Sequence, residues 1–257
     1  MRRLILFPCG GETLAATLDE APGTTGLLIV SGGNEVRMGA HRGMTELAAD
    51  LASGGTPVFR YDRRGIGDST GENHGYLSAD DDLAAAAVAF RAAAPQVTRM
   101  VGFGNCDAAT TLALFGQAAG LDALVLANPW VVEEADDSLP PAAAIRSRYA
   151  ARLKDPREWQ RLLTGGVNLR KLGRGLRKIA AAPPPSPGLP ARFADALGWC
   201  PATIVLAEGD ATAIAFTDAT RNLDLPATEQ RIATASHSFA SAEDRAALRE
   251  ILAEALR

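Results

Sequence analysis

Arg99-Met100-Val101-Gly102-Phe103 runs directly into Gly104-Asn105-Cys106-Asp107-Ala108, and a helix-forming stretch continues to Ala118. The first five residues predict a strand and Cys106–Ala118 a helix. Gly104 marks the tight turn where they approach closely. Working outward, Gly26–Ser31 is a continuous apolar run, the pattern of a buried strand, ended by Gly32 and Gly33. His41–Ser53 places Met44, Leu47, Ala48 and Leu51 at helical spacing, and Pro57–Tyr61 predicts the next strand. Ala79–Ala94 is an Ala-rich helix whose first turn holds Asp80, Asp81 and Asp82, which suits the helix dipole. Ala123–Ala127 is a further strand. Leu4–Phe7 and Leu14–Leu18, separated by Cys9-Gly10-Gly11-Glu12, read as a hairpin or two edge strands. The alternation of strand and helix predicts an α/β fold, a doubly wound and mostly parallel sheet with helices on both faces.

The alternation lapses after Asn128 and resumes at Cys200 with strand Thr203–Ala207, a helix near Ala213–Asn222, strand Glu229–Ala233 and a last helix Ala242–Leu256. Between them lie amphipathic stretches at Arg146–Leu153, Pro156–Leu163 and Leu169–Ile179, then a Pro-rich loop at Ala181–Pro190. This predicts a core made of 1–128 and 200–257, with a helical cap inserted at 129–199. From Pro141 to Cys200 twelve Lys or Arg face only Asp155, Glu158 and Asp195, so this stretch carries +9 in a chain of net charge −4. Such a surface is either a solvated helix face or a basic lid over an anionic ligand, with Arg170 and Arg174 as candidate substrate contacts, or one that leans on an anionic membrane.

With 257 residues the chain buries a core without staples, and its 47% apolar and 22% charged composition excludes disorder, collagen and coiled coil. The acidic balance argues against a nucleic-acid partner. Apolar runs fall short of the ~18 residues of a membrane span. Arg2 and Arg3 with the short Leu4–Phe7 run imitate a secretion signal, but Pro8, Gly10 and Glu12 interrupt it at once. Three scattered cysteines, Cys9, Cys106 and Cys200, form neither a disulfide framework nor a zinc pair. A cytoplasmic setting is expected, with no integral membrane segment, no metal and no cofactor.

Gly104-x-Cys106-x-Ala108 between a strand and a helix has the form of a nucleophile elbow, with Cys in the reactive position. Cys106 is equally compatible with a small buried residue. Two later loops favour the first reading. After Thr203–Ala207 come Glu208-Gly209-Asp210, an acid at a strand end; after Glu229–Ala233 come Thr234-Ala235-Ser236-His237. Nucleophile, acid, base is the chain order this constellation requires. Cys106 is therefore the candidate nucleophile, His237 the general base and then acid, and Asp210 its orienting carboxylate, with Glu208 and Asp218 as alternatives to Asp210. The backbone N–H groups of Asp107 and Gly33 are the candidate oxyanion donors, and Gly32 and Asn34 candidate substrate contacts. His41 and Arg42 read as a brace for the glycine loop or a helix cap, Asp62–Ser69 as a structural turn, and His74 as exposed loop.

These features, in this order, resemble the α/β-hydrolase superfamily over essentially the whole chain. A narrower resemblance is to the exosortase A system-associated hydrolase 1 family. It rests on Gly32-Gly33 with Arg37-Met38-Gly39-Ala40-His41-Arg42, the elbow Asn105-Cys106-Asp107-Ala108-Ala109, and Asn128-Pro129-Trp130. Trp159 and Gly166-Val167-Asn168-Leu169 fit as well. The resemblance implies an α/β-hydrolase fold with an inserted helical cap, in a bacterial enzyme encoded with exopolysaccharide and PEP-CTERM sorting systems. It names no substrate, and covers hydrolysis of an ester, thioester or lactone; a small-molecule or lipid- or CoA-linked acyl substrate is the expectation, the CoA-like kind resting on the +9 charge of the basic stretch. It also covers acyl transfer to a glycan, while a degenerate fold would serve as an inert scaffold.

Overall fold

The computed structural model describes residues 1–132 and 188–257. Eight strands form one sheet: β1 (Arg2–Cys9), β2 (Glu12–Asp19), β3 (Thr25–Val30), β4 (Val58–Tyr61), β5 (Arg99–Asn105), β6 (Ala123–Ala127), β7 (Ala202–Ala207) and β8 (Thr228–Ile232). Their spatial order is β1-β2-β4-β3-β5-β6-β7-β8. β2 is antiparallel to both neighbours, and every other pair is parallel. This is the doubly wound, mostly parallel sheet of the α/β-hydrolase fold. The reversal at β2 comes from a two-residue hairpin, in which Gly10 and Gly11 take φ of 58° and 89°. Positive φ at both turn residues suits glycine and matches the twist of the flanking strands.

The buried strands are apolar throughout: all five residues of Ala123–Ala127 and five of six in Thr25–Val30 are inaccessible. Alternate side chains feed two cores. On one face Leu27, Ile29, Val58, Val101 and Val125 meet Leu47 and Leu51 of α1 (Gly43–Ser53) and Leu248 and Leu252 of α6 (Ala242–Ala255). On the other, Leu28, Val30, Phe59, Leu124 and Leu126 meet α2 (Ala79–Ala93) and α3 (Asp107–Phe115). The same core takes in α4 (Leu189–Asp195) and α5 (Ala211–Thr220).

Two elements depart from the sequence expectation. The helix expected from His41 begins as a helix only at Gly43. His41 and Arg42 hold φ of 52° and 63°, so the chain enters α1 through a left-handed kink. α4 stands where no helix was expected, and its Phe193 is fully buried and meets Phe216 of α5 edge-on, ring centroids 5.5 Å apart. Pro190 stands in its first turn, where the missing N–H costs nothing. The expected cap helices and the basic residues Arg170 and Arg174 lie outside the described residues. Among the described residues no helix is long and apolar enough to cross a membrane.

Because Phe193 anchors α4 in the core, Phe193→Ala costs about 3–5 kcal/mol in denaturant unfolding. A loss under about 1 kcal/mol would place α4 outside the cooperative core.

Candidate active site

The parallel strands end along one rim of the sheet, and the loops there carry the candidate site residues. Cys106 follows β5 with φ 63° and ψ −127°, a conformation closed to ordinary L-residues. Such strain, on the order of 1–3 kcal/mol, persists only where neighbours over-determine it. Here the Cys106 N–H donates to the Ala127 carbonyl at 3.0 Å, and the Cys106 carbonyl accepts from Trp130 N–H at 3.1 Å. Two glycines give the turn room. A Cβ on Gly104 would lie 2.8 Å from the backbone carbon of Ala108, and one on Gly32 would lie 2.4 Å from the Asn105 carbonyl oxygen. Cys106 is half-buried and free of any disulfide.

Asp210 closes β7 and starts α5. It is the N-cap, its Oδ2 accepting from the N–H groups of Thr212 and Ala213 at 3.0 and 3.1 Å. The same oxygen accepts from His237 Nδ1 at 3.0 Å. Burial works against the Asp210 charge, but the hydrogen bond and charge of His237, with the two N–H groups, hold its carboxyl below the usual range. Burial also opposes a charged His237. It is outweighed by the hydrogen bonds to Asp210 and then Cys106 and by their charges, so the imidazolium is pushed up to about 10. The structure thus brings His237 against Asp210 at 3.0 Å and close enough to Cys106 for the sulfur to act on the imidazole. Glu208 is exposed, and Asp218 pairs with Arg221 at 2.8 Å.

The histidine loop is itself tied down. Ser236 N–H donates to Thr234 Oγ1, which donates to Asp244 Oδ2 at 2.8 Å, and Phe239 is buried beneath with φ 54°.

The loop after β3 turns tightly, with Glu35 N–H donating to the Gly32 carbonyl at 3.0 Å and Gly33 at φ 54°. Here the structure adds a contact that spacing did not reveal. Gly33 N–H donates to Asp107 Oδ1 at 2.6 Å. Arg63, 2% exposed, donates to Asp107 Oδ2 at 3.1 Å and to the Gly33 carbonyl. The Gly33 donor is therefore already engaged, and an oxyanion would have to share it or displace the carboxylate. Asp107 N–H, in the first turn of α3, has no acceptor within its helix. Asn34 Oδ1 accepts from Asn73 Nδ2 at 3.3 Å.

Asp62, read from the sequence as part of a turn, is fully buried and fixes the same loop. It takes the Arg37 N–H at 2.5 Å and the Arg37 guanidinium, and Arg60 donates to the Arg37 carbonyl at 2.8 Å. Arg63 and Glu35 had no assigned role in the sequence. Burial pushes the Glu35 carboxyl up, against the charge of His237 and the Ala40 N–H, with Asp107 adding to the rise. His41 and Arg42 form the kink into α1, and His74 is exposed, 3.7 Å from Glu72. Among the described residues no group of His, Cys, Asp and Glu could hold a metal ion.

No protein-family model and no curated protein matches the sequence. Solved structures do match in fold. DcsB, solved in complex with its substrate analogue, is 17% identical with a TM-score of 0.68, covering 100% of this chain and 98% of that one. A Pyrococcus furiosus esterase is 15% identical at 0.64, covering 100% and 91%. An α/β serine hydrolase homologue from Coxiella burnetii is 16% identical at 0.63, covering 99% and 97%. At these identities the likeness establishes the α/β-hydrolase fold.

Arg63 offsets a carboxylate held against the elbow. Arg63→Met therefore costs about 3–5 kcal/mol in denaturant unfolding, the cost of stranding a buried charge. Adding Asp107→Asn recovers part of the loss, since an amide oxygen still accepts from Gly33. A double variant no more stable than the single one would show that charge is not what Arg63 offsets.

Proposed function

We propose that this α/β-hydrolase-fold chain hydrolyses a carboxylic ester, thioester or lactone through an acyl thioester on Cys106. The observation that carries the reading is the meeting of three loops. A cysteine on a strained elbow lies within reach of His237, whose Nδ1 is held by Asp210. The fold neighbours support it in kind, since they include an esterase and, under the name "Thioesterase Domain From Curacin Biosynthetic Pathway", a protein 14% identical with a TM-score of 0.58.

The proton arrangement defines the steps. In the reacting form the thiol proton has passed to the His237 imidazole, where Asp210 helps to hold it. The sulfur attacks the substrate carbonyl carbon, a C–S bond forms, and the π electrons move to the oxygen. Asp107 N–H, and Gly33 N–H once freed from its carboxylate, stabilise that oxyanion. As the carbonyl re-forms, the C–O or C–S bond to the leaving group breaks. His237 hands its proton to the departing oxygen or sulfur. In the acyl-enzyme the sulfur carries no charge, so the hydrogen bond and charge of Cys106 no longer support the imidazolium. A neutral His237 then takes a proton from water, hydroxide adds to the thioester, and the C–S bond breaks. The sulfur leaves as the anion and the proton remains on His237, restoring the resting pair. Asp210 keeps Nδ1 protonated and the reacting nitrogen turned to the sulfur.

The resemblance in sequence adds a setting to this reading. The substrate is a small or lipid- or CoA-linked acyl compound met beside exopolysaccharide and PEP-CTERM sorting systems. The basic stretch at 141–200 is suited to an anionic leaving group of that kind.

Intact-protein mass spectrometry after brief exposure to activated acyl esters and acyl-CoAs tests the chemistry. An acyl adduct mapped to Cys106 and absent from Cys106→Ala is the expected result. Its decay in water, compared with decay in added sugar, separates hydrolysis from transfer. A wild type that turns over substrate with no adduct and no loss in Cys106→Ala would overturn the reading.

The pH dependence follows from His237. Activity is present while the imidazole is protonated in the free enzyme, so kcat/KM falls as pH rises through about 10. Asp210→Asn removes the carboxylate that supports the proton, so the falling limb moves to lower pH. An unmoved limb in that variant would separate Asp210 from the titrating group.

A further inference from the structure

Two asparagines with no assigned role lie against the backbone of His237. Asn105 immediately precedes Cys106, and its Nδ2 donates to the His237 carbonyl at 2.9 Å. Asn128 follows β6 and is fully buried. Its Nδ2 donates to Asn105 Oδ1 at 3.1 Å and to the His237 carbonyl at 3.2 Å, while its Oδ1 accepts from Ala207 N–H at 2.8 Å. Its own N–H donates to the Val205 carbonyl at 2.8 Å.

This network permits one orientation of each amide. Flipping Asn128 would set its NH2 against the Ala207 N–H and its oxygen against the His237 carbonyl. Flipping Asn105 would set two donors face to face at Asn128 and two acceptors at His237. The Asn128 backbone is bent to serve the contact, with φ 40°, a left-handed conformation that Asn tolerates better than most residues. In register, Asn105 pairs with Ala127 and Ala127 with Val205. The two amides therefore bridge the ends of β5, β6 and β7 and reach the loop beyond β8. The Cys106 N–H meets the residue just before Asn128, and the Asn105 side chain meets the residue that must face Cys106.

We infer that Asn105 and Asn128 are positioning residues that fix the His237 carbonyl to the elbow and so set the separation between imidazole and sulfur. Asp210 governs the far side of the ring, and the two amides govern the backbone from which the ring hangs. The inference rests on the reading of Cys106 and His237 as the reacting pair.

Two neutral variants test it. Asn105→Leu keeps the shape of a half-buried side chain and removes its hydrogen bonds. Asn128→Gly keeps access to the left-handed backbone and removes the amide. The readouts are alkylation of Cys106 by iodoacetamide across pH, which needs no substrate, and kcat and KM on whichever activated ester acylates the wild type.

Misplacing reacting groups by about 1 Å can cost on the order of 100-fold. The expected result is a fall of about 10-fold or more in kcat with KM changed less than about 2-fold. The alkaline limb should also shift to lower pH, because the sulfur no longer supports the imidazolium. Slower alkylation at neutral pH should accompany it. Should Asn128→Gly fail to fold, Asn105→Leu still decides. Alkylation rates, pH limb and kcat equal to wild type in a folded Asn105→Leu would overturn the positioning role. A wild-type Cys106 no more reactive than a free thiol, with activity retained in Cys106→Ala, would remove the reading of the pair and the positioning role with it.

Discussion

Gly32 and the carbonyl of Asn105 approach so closely that no Cβ fits between them. The contact joins the loop leaving β3 to the turn leaving β5, and the geometry of the rim depends on it. Two neighbouring parallel strands end level, and both chains must leave the sheet within a few residues. β5 does so by forcing Cys106 into a backbone conformation that costs energy, held by hydrogen bonds to the end of β6. β3 does so through a glycine turn whose conformation Asp62 and Arg37 secure from below. A side chain at Gly32 would push the two loops apart.

Much of the fold was legible because buried parallel strands are continuous apolar runs, and Gly26–Ser31 and Ala123–Ala127 are such runs. Boundaries were less legible where local pattern and backbone disagree. β1 extends to Arg2 because an edge strand has exposed positions that carry any residue. Helical spacing from His41 did not disclose the left-handed kink, since periodicity reports side-chain faces and not φ. α4 was hidden in a proline-rich stretch, although proline in a first turn is compatible with a helix.

The candidate site was legible to a different degree. Cys106, Asp210 and His237 stand at strand ends in a fixed chain order, so motif position alone nominated them. The groups that hold them are not ordered that way. Asn105 and His237 lie 132 residues apart, and Arg63 and Asp107 are 44 apart. Nothing local in either stretch signals the partner. Arg63 sits within a motif whose glycines drew the reading toward a turn, yet it is nearly inaccessible and bonds the residue after the elbow cysteine. The charge of His237 acts on both Asp210 and Glu35, Asp107 acts on Glu35, and Arg63 pairs with Asp107.

Asp210 Oδ2 caps a helix and meets an imidazole at once. On the proposed mechanism, folding and chemistry answer to one atom. A carboxylate moved to Glu208 in the same connection, or to Asp218 within α5, would leave α5 without its Asp210 cap even if it reached His237. Selection on stability alone thus keeps an oxygen at this position after selection on activity has relaxed. The acid should be the slowest member of the three to drift, and its presence in a chain of this fold says less about retained activity than the cysteine does.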